Sequence, residues 1–187
     1  MSKKQTSPTD LDFAILGLLH QQAETGYGIR KIFETTALGN YSSSPGSIYP
    51  ALKRLQKLNL VVQENQLTES GANKSRFLPT PIGTKMLIEW MSQPIVPEDI
   101  SKSIEQLFLR FAFMDNHLSR AQKLDFLLSF NEQVKTYLTE LEAYYQQEAD
   151  NLPLHGRLAF EHGIATYRTH LKWGKKALVT LQQTKDK

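Results

Sequence analysis

There is no cysteine among the 187 residues. Disulfides, thiolate metal sites and cysteine nucleophiles are therefore excluded, and the composition fits a reducing, cytoplasmic setting. No run approaches the ~18 consecutive apolar residues that a membrane span requires, so no membrane partner is expected. The N-terminal MSKKQTSPTD carries lysines with no apolar segment behind them and reads as a flexible tail over residues 1–9 instead of a signal peptide. Glycine-rich phosphate loops, nucleophile elbows and paired-carboxylate motifs are missing too. The histidines, His20, His117, His155, His162 and His170, are scattered, and His155 and His162 lie two helical turns apart, too far for one chelate. These gaps speak against an enzyme: no catalytic residue, metal ligand or cofactor is expected.

Acidic residues are scarce in one half only. Residues 1–96 hold ten Lys/Arg against seven Asp/Glu, while 97–187 hold twelve of each, so the net charge of +3 belongs to the first half. Between Arg30 and Lys57 five bases face one acid, Glu34. A phosphate backbone responds to such local charge more than to the total.

The first half reads as three helices, a hairpin and a fourth helix. Thr9 is an N-cap before Leu11, Ala14, Ile15, Leu18 and Leu19 at helical spacing, with an end near residues 20–24. Thr25 caps a second helix over Gly26 to about Thr35, with Tyr27, Ile29, Ile32 and Phe33 as its apolar residues. Residues 39–42 form a turn. A third helix follows, capped by Ser43 or Ser44, with Pro45 near N1 and Asn59 as a left-handed C-cap. Pro50 lies one turn inside it, and Gly46 relieves the crowding against the carbonyl four residues back, so a kink or a tight first turn is expected and not a break. Residues 60–63 and 75–78 read as strands around a polar turn at 69–73. Thr80-Pro81 starts a helix through Gly83, Met86, Leu87 and Trp90. This order is that of a winged helix-turn-helix with a two-stranded β wing, occupying residues 1–93. Pro94 and Pro97 mark a linker.

The third helix has a packed back of Ile48, Ala51, Leu52, Leu55 and Leu58. At roughly 100° per residue its front carries Pro50, Lys53 and Lys57, flanked by Tyr49 and Arg54. An amphipathic helix with a basic, aromatic front suits insertion into a DNA groove. Lys53 and Lys57 reach phosphates or guanine edges, and Tyr49 a phosphate or a thymine methyl. Ser43, Ser44 and Ser47 sit at the helix N-terminus, where free N–H groups favour phosphate. Arg30 and Lys31 reach backbone beside the groove, and Lys74 and Arg76 on the wing reach the adjacent minor groove. Arg54 lies on the flank, open to DNA or to an acid of its own domain. The alternative reading is a winged helix that contacts proteins without binding DNA.

Residues 97–187 read as a second, helical domain. Residues 98–114 form an apolar-faced helix with Ile100, Ile104, Leu107, Phe108 and Phe111. Ser119 caps a long helix to about Asp150, with Leu124, Leu127, Asn131, Val134, Leu138, Leu141 and Tyr145 spaced as a heptad seam. Past Pro153 a last helix repeats the pattern at Phe160, Ile164, Tyr167, Leu171, Gly174, Leu178 and Leu181. Two long helices joined by a short turn run antiparallel. Phe126, Leu128, Phe130, Tyr137, Tyr144 and Trp173 lie off the seams and favour a homodimerisation module over a monomeric bundle. Asn131 either fixes seam register or faces water.

Leu16-Gly17-Leu18-Leu19, Gly26-Tyr27-Gly28-Ile29 and residues 47–55 (SIYPALKRL) resemble the PadR family of bacterial transcriptional regulators. The wing exit, residues 76–83, matches its aromatic-x-Leu-Thr-x-x-Gly pattern, with Pro79 in place of the usual leucine, so the return strand is expected to end there. Asn59 stands where glycine is common. Residues 98–113 and Trp173 resemble the long C-terminal helical domain of the PadR-proper, virulence-activator-like branch. The resemblance covers nearly the whole chain and is most specific over residues 11–62. It implies a mainly α fold: an N-terminal winged helix and a C-terminal antiparallel long-helix dimerisation domain. It also implies a homodimer on a pseudo-palindromic double-stranded operator, repressing a nearby stress or detoxification gene, in some members released by a phenolic-acid-like aromatic effector. Trp90, Phe108, Phe111 and Tyr167 are the aromatic candidates for that effector, against the plainer reading that they are core.

Overall fold

The computed structural model describes residues 7–40, 44–67 and 73–184, and the chain divides into two compact units, Met1–Met91 and Ser92–Lys187. In the first, α1 (Asp10–Gln21) starts at a capping box: the Thr9 hydroxyl accepts from Asp12 N, and the Asp12 carboxylate accepts from Thr9 N at 2.7 Å. Residues 12–19 are buried on every side, which makes α1 the central helix of the unit. In α2 (Gly26–Thr35) the Thr25 hydroxyl accepts from Gly28 N at 2.9 Å, and Ile29 and Phe33 are fully buried. A 3-10 turn (Ala37–Asn40) precedes α3 (Pro45–Lys57), where Ser44 is the cap, its hydroxyl accepting from Gly46 N at 3.2 Å. Pro50 sits inside a continuous α3, as expected. The helix ends on Asn59 at φ 56°, the left-handed position that a short polar side chain tolerates, with Leu60 N donating back to Leu55 O at 2.9 Å.

The wing strands β1 (Val61–Leu67) and β2 (Asn73–Pro79) pair antiparallel from Val61 opposite Pro79 to Leu67 opposite Asn73, and β2 stops at the proline. The expected turn at 69–73 lies outside the described residues except for Asn73. Glu24 adds a short third edge, accepting from Phe77 N at 2.7 Å. Thr80 joins wing to α4 (Pro81–Met91): its hydroxyl accepts from Gly83 N and donates to Asn59 O, and its N–H donates to Leu60 O. A Cβ on Gly83 would lie 2.1 Å from that Leu60 oxygen, so only glycine fits. Trp90 of α4 stacks on Phe13 of α1, with centroids 4.4 Å apart.

The second unit departs from expectation at its start. The single helix expected over 98–114 is two, α5 (Pro97–Lys102) and α6 (Ile104–Ala112), broken at Ser103 with φ −150° and ψ 36°. Ile100 and Ile104 are both buried, so their four-residue spacing looks the same in sequence whether or not the axis turns between them. Ser119 and Gln122 form a capping box at the head of α7 (Arg120–Glu148). After a 3-10 turn (Ala149–Asn151), α8 (Leu154–Gln183) runs back antiparallel. The Arg120 guanidinium holds the carbonyls of Gln182 and Thr184 at one end, and Tyr145 donates to Glu161 at the other. Between them, Arg168 pairs with Glu142 at 2.7 Å.

Leu127, Val134, Leu138, Ile164 and Gly174 are the buried seam positions, while the other apolar ones stay half-exposed. Phe126, Phe130 and Trp173 are not free for a partner copy. Phe108 and Phe111 of α6 cover them, with ring centroids between 4.9 and 6.0 Å. Asn131 does not face water: both its amide atoms are enclosed and, among the described residues, without a hydrogen-bond partner.

Candidate nucleic-acid interface

The back of α3 is sealed: Ile48, Ala51, Leu52 and Leu55 are at most 1% exposed. Residues on the opposite side must then face out, and they do. Tyr49 is 45% exposed, and Pro50, Lys53 and Lys57 are exposed beside it. Lys53 and Lys57 stand one turn apart, and among the described residues neither has a carboxylate partner. Arg54, left open by the sequence, turns inward. It grips Asp12 bidentately at 2.7 and 2.8 Å, with the Asp12 side chain fully buried, and reaches the Thr9 hydroxyl. The geometry thus divides the basic residues of α3: Arg54 ties the helix to α1, while the two lysines face outward.

The remaining candidates are arranged less freely. Ser47 is half-buried in the first turn, and Ser44 is exposed with its hydroxyl engaged as the cap. Ser43 lies outside the described residues. Arg30 donates to Glu34 at 2.7 Å, one turn along α2, so its charge is balanced locally. Lys31 beside it is exposed. Arg76 is half-exposed directly opposite Glu64 in the wing register. Lys74 lies opposite Gln66 in the wing register, and its side chain lies outside the described residues.

Tyr27, expected among the apolar residues of the second helix, is 67% exposed. The signal was there in the spacing: at 100° per residue it lies roughly 160° from Ile29 and roughly 120° from Phe33, the residues that anchor α2.

Of the four aromatic effector candidates, Trp90 lies in the first unit and Phe108, Phe111 and Tyr167 in the second. Trp90 is 5% exposed within the first unit, its face taken by Phe13. Phe108 and Phe111 both pack edge-on against Trp173 in the second unit. Tyr167 packs on Tyr137 and His170 and donates to Ile100 O at 3.0 Å. Burial raises the Tyr167 phenol above its usual range and lowers His170, the latter opposed by Glu105.

Comparison with known proteins follows the same lines. Residues 15–89 match the Transcriptional regulator PadR-like family. The chain is 25% identical over 137 residues to the negative transcriptional regulator PadR of Bacillus subtilis (strain 168), covering 73% of this chain and 74% of that protein. It is 38% identical over 94 residues to the transcriptional regulator YqjI of Escherichia coli (strain K12), covering 50% of this chain and 44% of the relative. Among solved structures, it is similar to Bacillus subtilis PadR in complex with operator DNA at 23% identity and a TM-score of 0.41, over 92% of this chain and 99% of that one.

Proposed function

Through residues 15–89 the chain belongs to the transcriptional regulator PadR-like family, and from that premise we propose that it binds a pseudo-palindromic operator as a homodimer and represses a neighbouring stress or detoxification gene. DNA-binding transcription regulation is the role that membership carries. The observation that supports the finer reading is the split on α3: Arg54 is bound to buried Asp12, while Lys53 and Lys57 stand outward beside exposed Tyr49, without carboxylate partners among the described residues. A helix whose back is packed and whose unpaired charges all point one way is suited to a groove lined with phosphates. The repressive sense follows the name of the Bacillus subtilis relative, a negative regulator.

Two copies are supported by the second unit. Leu128, Tyr144, Leu154, Leu158 and Val179 are exposed on α7 and α8, roughly half of each side chain meeting solvent. Apolar area of this kind is what a second chain would cover. Half-site centres about 34–36 Å apart, or a multiple, are expected. For a small aromatic effector, the half-buried rings of Phe108 and Phe111 against Trp173, with Tyr167 reached through His170, are the region with suitable chemistry.

The test is a gel shift on the DNA upstream of the protein's own gene, with and without hydroxycinnamic acids. With six phosphate contacts per dimer, log K falls against log salt with a slope of about −5, and the pair Lys53→Ala/Lys57→Ala flattens it. An unchanged slope and affinity in that variant defeats the DNA reading. Binding that no aromatic acid weakens removes the effector.

A further inference from the structure

Tyr27 projects further into solvent than Tyr49, at 67% against 45%, and the reading above gives it no task. It is the second residue of α2, and the buried residues of that helix, Gly26, Ile29 and Phe33, anchor it from behind. Among the described residues Tyr27 has no hydrogen bond, ion pair or ring contact. It is not an isolated surface ring, however. Its neighbour Gly26 lies against Tyr49, such that a Cβ there would meet Tyr49 Cε1 at 2.7 Å. The start of α2 therefore abuts Tyr49 of α3, and Lys31, one turn on from Tyr27, and Pro50 and Lys53, on α3, are exposed as well.

The start of α2 already holds an anion. The Glu24 carboxylate accepts from Thr25 N at 3.0 Å, and the Thr25 hydroxyl accepts from Gly28 N. A phosphate drawn to the backbone N–H groups there meets Glu24 instead. What the helix start offers outward is a neutral donor at the end of a rigid ring, the Tyr27 hydroxyl. In helix-turn-helix docking the helix before the recognition helix crosses the sugar–phosphate backbone. Phosphate contacts from neutral side chains there position a protein without reading sequence.

We propose that Tyr27 contacts the DNA backbone on the flank of the groove that α3 enters, its hydroxyl donating to a phosphate oxygen and its ring lying against the sugar. This rests on the DNA-binding reading of α3. It assigns α2 a positioning contact that adds no charge, and so separates two signatures: Lys53 and Lys57 set the salt dependence, whereas Tyr27 sets affinity alone.

The experiment uses the full chain and two labelled duplexes, one selected by the wild-type protein from a randomised pool and one a scramble of the same composition. In Tyr27→Ala, affinity for both falls about tenfold. The ratio between the duplexes stays within about twofold of wild type, because no base edge is read, and the salt slope is unchanged. Tyr27→Phe keeps the ring and shape and loses most of the same affinity. The side chain is exposed, so the thermal midpoint of both variants matches wild type. Tyr27→Ala binding both duplexes as wild type does overturns the proposal, and so does a selective loss on the selected duplex, which marks base readout. A pool from which the wild-type protein enriches no duplex overturns the DNA reading itself, a result distinct from either.

Discussion

In the first unit the most deeply buried carboxylate, Asp12, receives two bonds from Arg54 and two from Thr9. In the second unit the enclosed amide of Asn131 receives none. The same contrast holds for close approaches. Gly83 meets a backbone oxygen that Thr80 N–H also holds, while Gly174 of α8 meets the Asn131 side chain, at 2.3 Å from where a Cβ would stand, and the Phe130 ring behind it. One unit is over-determined by satisfied polar contacts, as suits a scaffold that must aim a few side chains of α3. The other is held by ring packing and by polar contacts along α7 and α8, and among the described residues it leaves the enclosed Asn131 amide without a partner, a looser specification that admits adjustment between its long helices.

Four substitutions test this contrast by stability alone. Asp12→Ala is the largest: it strips Arg54 of its partner and α1 of its capping box, and chemical denaturation is expected to register a loss of about 3–5 kcal/mol. A loss below about 1 kcal/mol would mean that the first unit does not depend on its polar lock. Gly83→Ala follows, at about 3 kcal/mol, because the Leu60 carbonyl cannot move without breaking its bond from Thr80. Gly174→Ala costs less, about 1–2 kcal/mol, since the Asn131 amide and the Phe130 ring can rotate away. Equal costs for the two glycines would erase the difference between the units. Asn131→Leu, close in shape and without polar atoms, is expected to stabilise the protein by about 1 kcal/mol. Destabilisation there would mean that a bound water or a second chain satisfies the amide.

The contrast also explains what could be read before the structure. Thr9, Thr25, Ser44, Asn59 and Thr80 act on backbone groups within a few residues, so the helix boundaries they set were legible in the first unit. The outward face of α3 followed from angular spacing alone. Arg54 could not be decided, since its partner Asp12 lies 42 residues away. In the second unit the seams were legible and their partners were not. Phe126, Phe130 and Trp173 look in sequence like surplus apolar area because nothing there separates α6, which covers them, from α5. The break at Ser103 carries no proline or glycine to announce it, and it sets where Phe108 and Phe111 point.

The smallest effect expected is one of pH, and it belongs to the second unit. His170 lies between Phe108 and Tyr167, with centroids 5.2 and 5.7 Å away, and burial lowers its pKa against the opposing pull of Glu105. His117 is lowered by burial as well. A histidine depressed on folding takes up its proton first in the unfolded chain, so its contribution is complete above the unfolded value near 6.5 and is lost as pH falls through the folded value. Urea unfolding at about pH 7.5 and about pH 5.5 reads that loss. His170→Phe, which keeps a ring against Phe108, is expected to shrink the difference and leave the part due to His117. Unchanged acid sensitivity would mean that the aromatic cluster does not desolvate His170, and that its rings are open enough for water to reach the imidazole in the folded protein.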